Sequence, residues 1–151
     1  KINLNQIVKS VVDDFNSIYN SKRGIAIKLK TNGSRDYIIL GIENRIEQII
    51  ANLLENSISF SKDNQEIEVE LSNKEDGRIN LNVIDQGEGF KENDTKKIFN
   101  RFYSNRPGRF GEHSGLGLNI VKNLVDLHNG QIFASNNKDK GAKIEIIFPK
   151  V

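Results

Sequence analysis

The stretch Glu43-Asn44-Arg45-Ile46-Glu47-Gln48-Ile49-Ile50-Ala51-Asn52-Leu53-Leu54-Glu55-Asn56-Ser57-Ile58-Ser59-Phe60 decides the fold. Ile46, Ile49, Ile50, Leu53, Leu54, Ser57 and Ile58 recur at the spacing of one helical face, while Glu43, Arg45, Glu47 and Gln48 fall elsewhere. A helix with one apolar stripe must lay that stripe on a second layer. The flanking sequence supplies one.

Upstream, Leu4, Ile7, Val8, Val11, Val12, Phe15, Ile18 and Tyr19 space out another amphipathic helix over residues 4–20, with Asn3 or Asn5 as cap and Gly24 just past its end. Ile25, Ile27 and Leu29 then alternate with Ala26, Lys28 and Lys30, which reads as a half-exposed strand closed by the turn Asn32-Gly33-Ser34. Residues 37–40 read as a further small strand before Gly41. Downstream, Ile67, Val69 and Leu71, a turn at Asp76-Gly77, and Ile79, Leu81 and Val83 predict an antiparallel hairpin.

Residues 86–114 lose regular pattern, apart from a short helical run over 95–102, and an irregular stretch of that length is functional or mobile. A helix follows Gly115, with Leu118, Ile120, Val121, Leu124, Val125 and Leu127 inward, and stops at Asn129-Gly130. The last hairpin joins 131–135 to 142–148 through a turn over 136–141, and Pro149 terminates it. Together these elements predict an α+β chain: a two-layer α/β sandwich, with a mixed, mostly antiparallel sheet of about five strands packed on about three helices.

At 151 residues the chain reads as one domain over 1–151. Apolar residues make up 36% and charged residues 28%, and no apolar run approaches the roughly 20 residues that cross a bilayer. The start lacks the apolar stretch of a signal peptide. With 22 basic and 20 acidic residues and no long single-sign block, neither a nucleic-acid partner nor direct membrane contact is expected. The absence of Cys excludes disulfides, Cys-ligated zinc and thiol catalysis, and two histidines, His113 and His128, do not make a His-rich metal site. The absence of Met leads us to expect a piece of a longer protein.

Three stretches carry chemistry. Asp85-Gln86-Gly87-Glu88-Gly89-Phe90 sets a carboxylate at a strand end, before two glycines that let the backbone come close. Such a carboxylate accepts a hydrogen bond from a ligand amino group at the floor of a pocket. Gly115-Leu116-Gly117-Leu118 opens a helix, whose free N–H groups attract phosphate. Asn52 and Asn56, four residues apart, share one helix face, where a neutral amide oxygen can join a Mg²⁺ shell completed by phosphate oxygens and water. Each also has a plainer reading: the glycines as ordinary turns, Asp85 as a turn former, the asparagines as a bridge to a neighbouring strand. Neither glycine cluster matches the P-loop or the dinucleotide-binding fingerprint.

Taken in order, these stretches resemble the catalytic, ATP-binding domain of sensor histidine kinases, within the class that also holds DNA gyrase B, Hsp90 and MutL (the Bergerat fold). Residues 52–60 look like its N box, 85–90 like its G1 box, 98–103 (Ile98-Phe99-Asn100-Arg101-Phe102-Tyr103) like its F box and 115–118 like its G2 box. The resemblance implies that Asp85 bonds the adenine amine, that Gly87 and Gly89 allow close approach there, and that Asn56 ligates Mg²⁺ with Asn52 beside the phosphates. It also implies that Ser114, Gly115, Leu116, Gly117 and Leu118 wrap the phosphates, that Arg101 and Tyr103 contribute to the ATP site, and that a flexible lid spans residues 88–114. Phe99, Phe102 and Tyr103 are expected to pin that lid.

ATP-hydrolysing members of the class carry a general-base glutamate four residues before the metal asparagine. Asn52 stands there and cannot take a proton near neutral pH, which favours transfer to a protein side chain over hydrolysis. Glu55 is one residue from Asn56, about 100° around the helix. Two positions depart from the family: Ser59, where Lys or Arg is frequent, leaving Arg101, Arg106 or Arg109 as substitutes, and Ala142 after Gly141, where Thr or Ser is frequent.

The phosphoacceptor histidine is implied to lie on a separate dimerising hairpin of the parent protein. His128 reads as structural and His113 as a lid residue. A downstream response regulator is the implied partner, and the cytoplasm, including the cytoplasmic part of a membrane-bound sensor, the implied location. A degenerate nucleotide-binding switch without phosphotransfer and an ATP-hydrolysing clamp are the alternatives.

Overall fold

The computed structural model describes residues 1–32, 36–90, 95–100, 117–138 and 140–151. Along the chain run β1 (Ile2–Asn3), α1 (Leu4–Arg23), β2 (Ala26–Thr31), β3 (Ile38–Ile39), α2 (Glu43–Phe60), β4 (Glu66–Asn73), β5 (Ile79–Ile84), a 3₁₀ turn (Thr95–Phe99), α3 (Gly117–Leu127), β6 (Gln131–Asn136) and β7 (Ala142–Phe148). Five strands form one sheet in the order β2-β4-β5-β7-β6, parallel between β2 and β4 and antiparallel elsewhere. The α+β sandwich expected from the sequence is therefore present, with α1, α2 and α3 as its helical layer.

Local chemistry sets the element ends. Asn3 opens α1 by accepting from the Asn5 N–H at 3.1 Å, and Gly24 closes it at φ 66° while donating to the Asn20 carbonyl at 2.9 Å. Arg23 then straps α1 to the end of α2, donating to the Ile58 carbonyl at 2.9 Å, the Ser61 carbonyl at 2.7 Å and Asp63 at 2.7 Å. The seven residues predicted to face inward from α2 are the seven that it buries.

Strand alternation separates the two faces of the sheet. Ile67, Val69 and Leu71 of β4, Ile79, Leu81 and Val83 of β5, and Ile144, Ile146 and Phe148 of β7 are buried in one core with the helices. The opposite face carries Lys28, Lys30, Glu66, Glu68, Glu70, Asn80, Asn82 and Glu145, with ion pairs Lys28–Glu66 at 3.0 Å and Lys30–Glu68.

Asn3, a cap in the sequence reading, also belongs to a two-residue strand, Ile2–Asn3, antiparallel to β3 and too short for any alternation to show. Two inward positions need correction. Ile18, spaced into the apolar face of α1, is 45% exposed. Leu127, expected inward on α3, is 59% exposed. At 100° per residue it lies about 120° around α3 from Val121, the centre of the buried stripe, whereas the polar His128 falls within about 20° of it. The helical run over 95–102 is a 3₁₀ turn as far as Phe99, and residues 101 and 102 lie outside the described residues, as do Gly33 and Ser34 of the predicted turn.

On β4, Glu68 and Glu70 stand side by side on the open face. The hydrogen bond with Glu68, then burial and the Glu68 charge, raise the Glu70 pKa, while Lys30 holds Glu68 below the usual carboxylate range. A raised carboxyl pKa means that the native state holds the proton more tightly, so this contribution is lost as pH rises through the folded-state value. Glu70→Gln is expected to stabilise the protein at pH 7 by about 0.5 kcal/mol. Below pH 4, where the carboxyl is protonated in either state, the gain vanishes. Thermal unfolding across that window checks it.

Candidate functional site

Asp85 follows the last residue of β5 and is 2% exposed. Its Oδ1 accepts from the Gly87 N–H at 2.9 Å and the Ala142 N–H at 3.2 Å, and its own N–H donates to the Ala142 carbonyl at 3.0 Å. The chain after β5 is thus wrapped around the carboxylate, and the start of β7 is stapled to it. Residue 142 therefore reaches Asp85 through its backbone, with Ala142 offering no polar side chain.

Gly141 permits that closeness. It sits at φ 96°, and a Cβ there would lie 1.9 Å from the Asp85 carbonyl oxygen. The rest of the turn is pinned from two sides. Gln86 accepts from the Glu66 N–H at 2.8 Å through Oε1, and its carbonyl accepts from Gln65 Nε2 at 3.2 Å. Phe90, itself buried, is gripped by Asn136, whose Oδ1 accepts from the Phe90 N–H at 2.6 Å and whose Nδ2 donates to the Phe90 carbonyl at 3.0 Å. Gly87 and Gly89 are both buried, Gly89 at φ 83°.

The second group lies on α2. Asn52 and Asn56 are half-buried, one helical turn apart, and the Nδ2 of Asn56 is buried without a hydrogen-bond partner. A half-turn of that amide brings its oxygen to the same place, so the side chain offers a buried, uncommitted end suited to a cation. Among the described residues no group of three or more His, Asp or Glu is gathered for a metal. A Mg²⁺ here fits only as an ion shared between Asn56 and ligand oxygens. Ser59 donates to the Asn56 carbonyl at 2.8 Å, which commits its hydroxyl proton to the helix, and Glu55 is exposed.

Helix α3 packs against α2 and begins at Gly117, where a Cβ would meet no described atom within 4 Å. Leu118 is half-buried against the core, and Asn119 Nδ2 donates to the Phe99 carbonyl at 3.1 Å, tying the first turn of α3 to the 3₁₀ turn. Of the F-box residues, Ile98 and Phe99 are buried. Arg101, Phe102, Tyr103, Arg106, Arg109, His113, Ser114, Gly115 and Leu116 lie outside the described residues, as does most of the expected lid.

His128 is structural. Its Nε2 accepts from the Ile42 N–H at 3.2 Å, which places the ring proton on Nδ1, donating to the Leu124 carbonyl at 2.7 Å. The ring thereby joins the end of α3 to the start of α2, packed close to Gly41. His128→Ala strips the Ile42 N–H of its partner and opens a void, at an expected cost of about 2–3 kcal/mol. A thermal midpoint lowered by about 5–10 °C would register it.

Sequence reasoning identified Asp85, Gly87, Gly89, Asn52 and Asn56 but missed Gln86, Asn119, Asn136 and Gly141 as parts of the site. Their partners lie 20 to 56 residues away, and no local pattern announces them.

The family model for histidine kinase-, DNA gyrase B- and HSP90-like ATPases matches residues 41–151. The sensor protein ChvG of Agrobacterium fabrum is 35% identical over 160 residues, covering 98% of this chain and 27% of that protein. The chain therefore spans about a quarter of that curated relative. Among solved structures, the nucleotide-free catalytic domain of the histidine kinase ThkA superposes with a TM-score of 0.83 at 25% identity, covering 99% of this chain and 94% of that one. ThkA in complex with the response regulator TrrA superposes with a TM-score of 0.79 at 24% identity, covering 99% and 41%, and shows the fold alone. Matched over most of its length, including the turn around Asp85 and the helix of Asn52 and Asn56, the chain belongs to the histidine kinase-, DNA gyrase B- and HSP90-like ATPase family.

Proposed function

We propose that residues 1–151 form the ATP-binding catalytic domain of a two-component sensor histidine kinase, which holds Mg·ATP and presents the γ-phosphate to a histidine on a separate domain. The observation that carries this reading is Asp85: a buried carboxylate at a strand end, held from behind by two backbone N–H groups beside two buried glycines. Asp85 accepts from the adenine amine. Gly87 and Gly89 admit the flat base.

Asn56 holds the cation through its amide oxygen, and bound Mg²⁺ neutralises charge on the phosphates. Asn52 lies beside them on the same helix face. The N-terminal amides of α3, Gly117 and Leu118, cradle the phosphates, and Arg101, Tyr103, Ser114, Gly115 and Leu116, which lie outside the described residues, are assigned to the same nucleotide site. No base stands at Asn52 to take a proton from water, so the nucleotide is kept for in-line transfer, and the protein's contribution is position and charge.

The parent's dimerising hairpin, carrying the phosphoacceptor histidine, and a downstream response regulator are the partners of this reading; for the regulator, the ThkA complex with the response regulator TrrA supplies the support. No helix among the described residues is long and apolar enough to cross a membrane, and the cytoplasm is the proposed location.

Asn56 supplies the test. Asn56→Ala is expected to erase the gain in ATP affinity that Mg²⁺ brings while leaving metal-free binding within about twofold of the parent, since the base contact is untouched. Calorimetric titration with and without Mg²⁺ measures this. A full magnesium increment in the variant would remove Asn56 from the metal site.

A further inference from the structure

We propose that Asn136, at the end of β6, is a positioning residue for base recognition, acting through Gly89 and Phe90 upon Asp85; the inference rests on the reading of Asp85 given above. Bonds to three parts of the chain hold the six residues 85–90, among others. Asp85 and Gly87 close on one another, Gln86 is bonded to β4, and Phe90 is bonded by Asn136. The third hold is reciprocal. One side-chain amide satisfies both the N–H and the C=O of Phe90, at 2.6 Å and 3.0 Å, as a neighbouring strand would.

The chain uses this device at a second place. Asn16 of α1 donates to the Ile27 carbonyl at 2.9 Å and accepts from its N–H at 2.8 Å, standing in for the strand that β2 lacks on its outer side. β6 is the other edge of the sheet, and Asn136 extends its pairing onto residues that belong to no strand. At Asn16 the device holds a strand. At Asn136 it holds a binding turn.

The fit leaves Gly89 little latitude. A Cβ there would come within 2.6 Å of Asn136 Oδ1 and 3.1 Å of the Gly141 carbonyl oxygen. The Asn137 N–H donates to that same carbonyl at 2.8 Å, and Gly141 lies against Asp85. Asn136 thus closes a ring that runs from Phe90 through Asn136, Asn137 and Gly141 back to Asp85. Removing its amide takes both of these bonds from Phe90, at the exit of the glycine turn, while the β6–β7 ladder remains.

The test uses Asn136→Ala and Asn136→Asp, each alone and with Asp85→Asn, and measures Kd for ADP and GDP together with thermal unfolding. Asn136→Asp keeps an acceptor for the Phe90 N–H but sets an oxygen against the Phe90 carbonyl. We expect both single variants to weaken ADP about tenfold and GDP by less than about twofold, narrowing the preference for adenine. In the Asp85→Asn background, Asn136→Ala should add less than about twofold, because its effect runs through Asp85.

ADP affinity within about twofold of the parent in Asn136→Ala, or an equal loss for ADP and GDP that tracks thermal unfolding, overturns the inference and leaves Asp85 standing. An Asp85→Asn variant that binds ADP like the parent overturns the base-recognition reading itself, and the inference with it.

Discussion

Asp85→Asn is expected to weaken ATP and ADP by about a hundredfold or more, with little change in unfolding. The substitution changes no atom's position by much, and Asn supplies the Oδ1 that the Gly87 and Ala142 N–H groups require. Those two donors also fix which way the amide faces. Its oxygen stays with the backbone, so its NH₂ takes the place of the second carboxylate oxygen. A donor then meets the donor amine of the base, and a charge-assisted bond becomes a clash of like dipoles. A site built around one buried hydrogen bond discriminates strongly against the loss of that bond. Nucleotide titration and thermal unfolding on the same sample separate this result from simple misfolding.

Gly141→Ala is expected to carry a larger stability cost than a methyl group added at Gly24, Gly41, Gly77, Gly89, Gly117 or Gly130. The new Cβ would lie 1.9 Å from the Asp85 carbonyl oxygen and 2.7 Å from its carbon, both backbone atoms that no rotamer change can move aside. The residue also sits at φ 96°, a conformation that L side chains rarely adopt. We expect a loss of about 3 kcal/mol or more, seen as a midpoint lowered by roughly 6–12 °C. Nucleotide affinity should fall with it, because Ala142 and Asp85 must separate. Gly77→Ala is the comparison: at φ 92° it shares the backbone penalty, but its Cβ would meet the flexible stem of Lys150 at 2.9 Å. It should cost about 1 kcal/mol and leave binding alone.

The contrast between these two glycines shows what a sequence conveys about this molecule. Period alone was enough for α2, whose predicted inward face matches its buried face residue for residue, because a single apolar stripe against a sheet admits one orientation. Period also placed the β4–β5 and β6–β7 hairpins, since each turn is short and carries its own glycine. The parallel pairing of β2 with β4 was not legible, because alternation tells which face a strand buries and nothing about its neighbour. Leu127 was misread for a related reason: a run of apolar residues in α3 is wider than the stripe it buries, and the core takes His128 in place of Leu127.

The site divides the same way. Asp85, Gly87, Gly89, Asn52 and Asn56 were visible because their chemistry is carried by residue type and short spacing. Asn136 and Gly141 were not, since an asparagine at a strand end and a glycine in a turn have ordinary uses everywhere. Their importance comes from the return of β7 to β5, which sets residue 141 against residue 85.

In the proposed function the bound γ-phosphate goes to a histidine outside this chain. Mixing the protein with a separately prepared phosphoacceptor hairpin, Mg²⁺ and γ-labelled ATP tests it most directly. Label is expected on the hairpin histidine, lost in acid and stable in base, with slow release of free phosphate and no transfer by the Asp85→Asn variant. Steady phosphate release without labelled hairpin would make the chain an ATP-hydrolysing clamp, and tight nucleotide binding with neither product would make it a switch; either result overturns the histidine kinase reading.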